Sequence, residues 1–326
     1  MGVTAPTGVG GRGSPVGRSA AGDRERPRED LRVRVRAPGE PRAVAWLYLL
    51  PALAFYLLFA FGPLLYTAWL SFFRWDGITV GVWVGLDNYD RILSDPAIRD
   101  SFVHSLVLIG FYALLPCALG LMLASMMVHA RVRGVSFFRA VLFLPQTMAS
   151  VVVAIAWVWI YGPQGPVNEA LRLAGLGSIT RSWLGDFQFA LPALGLIGTW
   201  VMFGLCMVLF VAGIQKIPHE LYEAARVDGA GAVREFFTVT LPGLRAEVAV
   251  ALTLTTIFAL RTFDLVYVAT SGGPGSSTTV PSWLVYQNAF SNGRVGLAAA
   301  VAVVLTLIIF VVAFLITRIV DRDPTT

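Results

Sequence analysis

Arg261 and Asp264 lie three residues apart, within or near the end of a stretch that is otherwise apolar. Ionisable groups at such positions are costly to desolvate, so they face a polar cavity or a partner. Two readings follow from the spacing. On one helix face the two side chains can pair as an ion pair that fixes helix packing. Alternatively they form part of the polar wall of a path for a solute. Phe258, Thr262 and Leu265 fall near the same face, and an aromatic ring beside a hydroxyl suits a polyhydroxylated solute, held by stacking and hydrogen bonds. Other chemistry is hard to assemble. Trp157, Trp159 and Tyr161 end an apolar run and read as an interfacial aromatic belt. His104, His129 and His219 are scattered without metal-ligand spacing. Cys117 and Cys206 sit inside apolar runs and read as small core residues. Ser136 and Ser150 have no identifiable base nearby. The Gly272–Gly275 cluster is a turn without the lysine of a phosphate loop, and no GxxxxGK[ST] motif occurs. No catalytic, cofactor or metal site is therefore expected, and any ATP chemistry must come from another chain.

The elements that would position these residues follow from hydropathy. The chain is 56% hydrophobic and only 14% charged, against about 45–50% and about 25% in ordinary globular domains. The apolar residues form runs of 20 or more, long enough for a hydrocarbon layer of roughly 30 Å. Six spans are expected, at about 44–73, 102–129, 138–161, 189–213, 247–268 and 295–319. The fold class is an all-α integral membrane protein. Pro51, Pro63, Pro116 and Pro145 lie inside spans, where packed membrane helices tolerate them as kinks. Residues 1–40, rich in Gly, Pro, Ser and Arg, are expected to be a disordered tail, followed by a membrane domain over 41–326. The first apolar run continues too far for a cleaved signal peptide. Nine arginines lie between Arg12 and Arg42. With Arg131, Arg133, Arg139, Lys216, Arg226, Arg234, Arg245, Arg318 and Arg322 they outnumber the basic residues of the alternate loops, placing both termini in the cytoplasm. The clustering beside an apolar run points to anionic lipid, not nucleic acid.

The connection from Gln215 to about Glu247 is more than a loop. Pro218 biases Ile217 to an extended form and suits the first helical position. From His219 to Asp228, Leu221, Ala224 and Ala225 share one helix face, while His219, Glu223 and Arg226 share another. Gly229 then suits a helix stop. A second amphipathic stretch carrying Val233, Phe236 and Phe237 leads to Leu241-Pro242. Such an elbow is either an interfacial hairpin or a grip by which a partner moves the spans.

The pattern Glu223-Ala224-Ala225, three residues, Gly229, nine residues, Val239, one residue, Leu241-Pro242 resembles the EAA loop of binding-protein-dependent ABC importer permeases, which carry isoleucine or a similar residue where Val239 stands. Other segments resemble the carbohydrate-type group in order: Gly62-Pro63-Leu64-Leu65-Tyr66 with Ser71-Phe72, Val84 to Tyr89, Gly162 to Asn168, and Phe263 to Tyr267 followed by Gly272-Gly273-Pro274-Gly275. The resemblance runs from about residue 44 to 320. It implies six spans with a cytoplasmic coupling-helix elbow in which Glu223, Ala224, Ala225, Gly229, Leu241 and Pro242 dock into an ATPase. It also implies a bacterial cell-membrane location and an import path for sugars or oligosaccharides shared with a second permease. Two ATPase subunits and an extracellular solute-binding protein complete the implied assembly. Glycerol phosphate is the alternative solute. An ion-coupled secondary transporter is the alternative class, and it leaves the elbow unexplained.

Overall fold

The computed structural model describes Arg42–His129 and Gly134–Val320; the arginine-rich tail of residues 1–40 and the basic loop at 130–133 lie outside the described residues. The chain divides into two units, Met1–Ala54 and Phe55–Thr326. Helix α1, Trp46–Leu70, is long and apolar enough to cross a membrane. Within the first unit its side chains from Trp46 to Ala54 are all exposed, as a surface meant for hydrocarbon would be.

In the second unit a two-residue ribbon, β1 (Phe73–Arg74) and β2 (Val82–Trp83), pairs antiparallel after α1. The short helix α2 (Asp87–Ser94) precedes α3 (Pro96–Met127). Asn88, at the start of α2, donates to the Ser71 and Phe73 carbonyls at 2.8 and 2.9 Å, and the Ser71 and Tyr89 hydroxyls meet at 2.6 Å. Next come α4 (Ser136–Thr147) and α5 (Ser150–Ile160), then α6 (Pro166–Leu173) and the long α7 (Ala190–Ile214). The elbow consists of α8 (His219–Val227) and α9 (Ala232–Gly243). It leads to α10 (Arg245–Leu260), α11 (Asp264–Ala269), α12 (Pro281–Tyr286) and α13 (Val295–Val320).

Helix α7 is the hub: 15 of its 25 residues are buried. Small residues let its neighbours close on it. At Gly204 a Cβ would lie 2.0 Å from the Leu142 carbonyl oxygen, so only glycine allows the α4 backbone this near. Thr199 donates at 2.6 Å to the Phe111 carbonyl of α3. Cys117 and Cys206 are buried with their sulfurs 3.7 Å apart, which is the core role expected of them. By contrast α13 has a buried first turn and a largely uncovered C-terminal half.

The prolines act more specifically than a general kink. A helical proline lacks an N–H and its ring crowds the carbonyl four residues before it. Three helices widen into a π turn that contains this carbonyl: Leu57–Phe61 before Pro63, Gly110–Leu114 before Pro116, and Phe236–Thr240 before Pro242. The wider turn relieves the clash without ending the helix. Pro145 behaves differently, because α4 stops two residues later at Thr147.

Two expected spans are not continuous. The third bends by 98° between α4 and α5, where Met148 and Ala149 are extended. The fifth ends at Arg261 and restarts at Asp264, with Phe263 outside helical geometry. A second bend, of 72°, separates α9 from α10; among the described residues four helices are by themselves long and apolar enough to cross a membrane, and up to six if α4 with α5 and α9 with α10 each count as one span. The aromatic belt also divides. Trp159 is 78% exposed, but Tyr161 is buried and Trp157 packs on Tyr161 and Trp200 with ring centroids 4.9 and 5.5 Å apart.

Candidate functional site

The two helix breaks face one another across a cavity of about 510 Å³, within the roughly 300–1,000 Å³ typical of small-ligand sites. Phe258, Arg261, Thr262 and Asp264 all line it. The broken backbone of both segments lies at this cavity, the one setting in which unwound chain is tolerated at membrane depth. Its apolar wall is the Ile197–Met202 stretch of α7 facing Leu254 and Ile257 of α10. Gln146 and Ser150, from the α4–α5 break, and Tyr112, from the π turn of α3, add polar groups. None of these three was singled out from sequence as a lining residue; their signal was the proline-marked turns that hold them. The Gln146 side-chain oxygen has no hydrogen-bond partner, leaving an acceptor available to a solute hydroxyl.

The ion-pair reading of Arg261 and Asp264 does not hold: among the described residues no ion pair joins them, and the helix is interrupted between them. Arg261 caps the C-terminus of α10, and Asp264 lies in the first turn of α11. Each charge thus sits at the helix end whose dipole favours it, worth about 0.3–1 kcal/mol apiece. The break is closed from outside by Ser282, whose hydroxyl donates to the Thr262 carbonyl, while the Thr262 hydroxyl donates to Phe258 at 3.0 Å. Gly198 keeps the cavity open at its closest helix contact. A Cβ there would sit 2.0 Å from Cε2 of Tyr112.

The elbow is a second, separate arrangement. Helix α8 starts one residue later than the sequence suggested, with Pro218 as its N-terminal flanking residue. It ends as expected: Gly229 has φ +76°, the Ala230 amide donates to Ala225 at 2.9 Å and the Gly229 amide to Arg226 at 3.0 Å. That paired closure requires a left-handed residue, which glycine adopts without a Cβ penalty. Tyr222, which is buried, and Arg226, which is exposed, link α8 to α9. Arg226 forms a forked pair with Glu235 of α9, at 3.0 and 3.3 Å. Glu235 is 3% exposed. This pairing raises the Arg226 pKa further. Tyr222 meets the Thr240 hydroxyl at 3.2 Å. Sequence periodicity placed Arg226 on a polar face but gave no sign of Glu235 or Thr240, because their partners come from across the turn.

The outward face keeps Glu223 and Ala224 exposed, with Ala225 half-buried. Glu223 lies 3.2 Å from the His219 ring nitrogen. Leu221, Val227, Val233 and Phe237 are between 52% and 88% exposed. Leu241 is half-buried and Pro242 exposed at the foot of α9. Among the described residues, no group of three or more His, Cys, Asp or Glu could hold a metal.

Residues 117–325 match the family model described as a binding-protein-dependent transport system inner membrane component. The chain belongs to this family of membrane permeases. It is 36% identical over 270 residues to the probable ABC transporter permease protein YurN of Bacillus subtilis, covering 82% of this chain and 92% of that protein. It is 34% identical to the trehalose/maltose transport system permease protein MalF of Thermococcus litoralis, over 80% and 88% of the two chains. In fold it is similar to a chain of a bacterial ABC transporter involved in import of the acidic polysaccharide alginate, with a TM-score of 0.74 over 87% and 96% of the chains at 22% identity. The permease is thus a multi-pass inner-membrane component of an ABC transporter, and its family is the non-catalytic subunit of such systems.

Proposed function

We propose that the permease forms, with a second permease, the translocation path of an ATP-driven importer of sugars or oligosaccharides. The observation that carries this is the convergence of Phe258, Arg261, Thr262 and Asp264 on one cavity lined by two helix interruptions, at residues 148–149 and 261–263. An aromatic ring, hydroxyls, an amide, a cation and a carboxylate suit a ligand with many hydroxyl groups. The relative named for trehalose and maltose supports the same class. In this reading the exposed face around Glu223, Ala224, Ala225 and Gly229 docks into a groove of a cytoplasmic ATPase, with Leu241 and Pro242 at its base. Two ATPase subunits bind the paired elbows, an extracellular solute-binding protein delivers the sugar, and both termini face the cytoplasm. ATP binding closes the ATPase dimer, the elbow carries that motion into the spans, and the cavity changes the side to which it opens.

The test is uptake of radiolabelled maltose, trehalose and maltotetraose by proteoliposomes holding the complete transporter, with binding protein outside and ATP inside. Saturable, ATP-dependent accumulation of at least one is expected, together with co-purification of the ATPase. Accumulation that needs an ion gradient instead of ATP would establish a secondary transporter. Tight binding of an amino acid or peptide by the cognate binding protein, with no sugar bound, would overturn the sugar assignment.

A further inference from the structure

Five aromatic rings gather beside the cavity; Trp283 is anchored against the hydrophobic core, but packing does not account for the exposed members of the group. Phe263 and Tyr267 stack at 5.4 Å with their planes 10° apart. Trp283 and Tyr286 of α12 stack at 5.7 Å and 21°. The two pairs meet, Tyr267 lying 5.5 Å from Trp283 and Phe263 5.4 Å from Tyr286. Phe290 extends the series 5.3 Å beyond Tyr286. Rings gathered for core stability are covered by neighbours, but here Tyr267 is 41% and Phe290 78% exposed. An interfacial belt gives the opposite pattern, single rings spread outward as Trp159 is. The series also has a direction. Phe263 lines the cavity, and ring steps of 5.4 and 5.3 Å lead from it through Tyr286 to Phe290. Tyr267 and Tyr286, with ring centroids 5.3 Å apart, each carry a hydroxyl, so the ladder offers polar groups as well as ring faces.

We infer that the ladder from Phe263 to Phe290 is a second saccharide-binding surface, on which the sugar rings of an oligosaccharide stack as the chain enters or overhangs the cavity. The inference rests on the sugar reading above and adds a chain-length preference to it. The apolar faces of pyranose rings match aromatic faces, and the ring steps are close to the repeat of a sugar chain. The cavity takes one end of the ligand and the ladder takes the remainder. Long substrates therefore gain from Trp283 and Tyr286, and short ones do not.

The test combines transport with a probe on the ladder that does not depend on transport. Phe290→Cys, labelled with bimane in the complete transporter, places a fluorophore that Tyr286 and Trp283 quench; Cys117 and Cys206 are buried. Maltopentaose is expected to relieve the quenching at concentrations where maltose does not. Trp283→Ala, in the labelled protein, is expected to weaken the maltopentaose response by about 2- to 12-fold, the range for one aromatic pair. In uptake, Trp283→Ala and Tyr286→Ala should slow maltopentaose and spare maltose, with Trp283→Phe retaining most of the activity and all variants assembling normally. No bimane response alongside normal sugar uptake overturns the ladder and leaves the sugar reading standing. A response without sugar uptake sustains the ladder and refutes the import assignment. Equal slowing of maltose and maltopentaose, or loss of the second permease on purification, also overturns the ladder, assigning these rings to a subunit contact.

Discussion

Gly198→Ala offers the sharpest test of the cavity. The added Cβ would stand 2.0, 2.2 and 2.4 Å from Cε2, Cζ and Cδ2 of Tyr112. Ordinary contact begins near 3.4 Å, so the ring must retreat by about 1.4 Å, a shift in the range that overpacking is known to force. Tyr112 is only 6% exposed and lies in a packed cluster with Leu108, Ile197 and Met202. The open direction is the cavity that it lines. Overpacking of this kind costs about 1–3 kcal/mol, which as lost ligand affinity is roughly 5- to 150-fold. The gain in helix propensity from alanine, about 1 kcal/mol, partly offsets the strain but not the lost space. The assay is maltose uptake as a function of concentration, with ATPase co-purification as the control for assembly. KM should rise within that range while assembly is unchanged. The double variant Gly198→Ala/Tyr112→Ala should be better than the product of the single effects, because the methyl then fills space the ring has vacated. Wild-type KM in Gly198→Ala, or strict additivity in the double variant, would refute the placement of Tyr112 against Gly198 in a solute path.

The elbow gives three further expectations. Glu223→Arg should abolish co-purification of the ATPase while membrane insertion persists; retained binding would remove the docking assignment. Gly229→Val puts a β-branched residue at φ +76°, where non-glycine residues lose roughly 1–2 kcal/mol, so coupled ATP hydrolysis should fall without loss of the protein from the membrane. Glu235→Gln breaks the fork to Arg226, and uptake should drop with little further loss when Arg226→Gln is added, measured as a double-mutant cycle. Before the N-terminus of α7, Asp186 accepts from the Gln188 and Phe189 amides at 2.8 and 3.2 Å and its pKa is lowered, chiefly by the Gln188 bond. A carboxylate with a lowered folded pKa stabilises the fold above its unfolded value, about 3.9, and that contribution is lost as pH falls through the lowered one. Proteolysis of the 177–189 segment should therefore increase below about pH 4, and Asp186→Asn should show the increase already at neutral pH.

How much was legible in advance differs by residue. Phe258, Arg261, Thr262 and Asp264 were recognisable because charge inside an apolar run is conspicuous, and they do share a cavity. What the run could not reveal is the break at Phe263. Hydropathy averages over a window and is blind to a three-residue interruption that lacks Gly or Pro, which is why the pair looked like i, i+3 partners. Tyr112, Gln146 and Gly198 were invisible for another reason: their role depends on which helices meet, and a 3.6-residue period reports a face without naming its neighbour. Several motif residues proved to be latches. Asn88 ties α2 to the end of α1, and Asn168 donates to Gly162 and Arg181 while accepting from Trp183 at 2.9 Å. Residue type alone does not separate such buried scaffolding from binding chemistry. Gly229 was fully legible, because its requirement is local: a positive φ that closes a helix.

The placement of the elbow relative to the cavity has a mechanical consequence for the proposed function. Two helices run from one to the other. Helix α7 contributes Ile197, Gly198, Val201 and Met202 to the cavity and ends at Ile214; helix α10 begins at Arg245, directly after the elbow, and contributes Leu254, Ile257, Phe258 and the capping Arg261. At the elbow end they are fastened together. Lys216 pairs with Glu247 at 3.0 Å, and Gly213 lies so near Leu244 that a Cβ would come within 2.5 Å of its side chain. At the cavity end α10 is interrupted, so α11 need not follow its movement. Sixteen helical residues make a rod of about 24 Å. A tilt imposed where α10 leaves the elbow therefore reaches Phe258 and Arg261 along continuous helix, and is taken up by the non-helical Phe263. That arrangement lets a subunit without ATP chemistry of its own convert a partner's closure into a changed cavity. It also locates the hinge: substitutions at Thr262 or Phe263 should alter uptake and coupling together, whereas those at an exposed position within continuous α10, such as Val250, should alter neither.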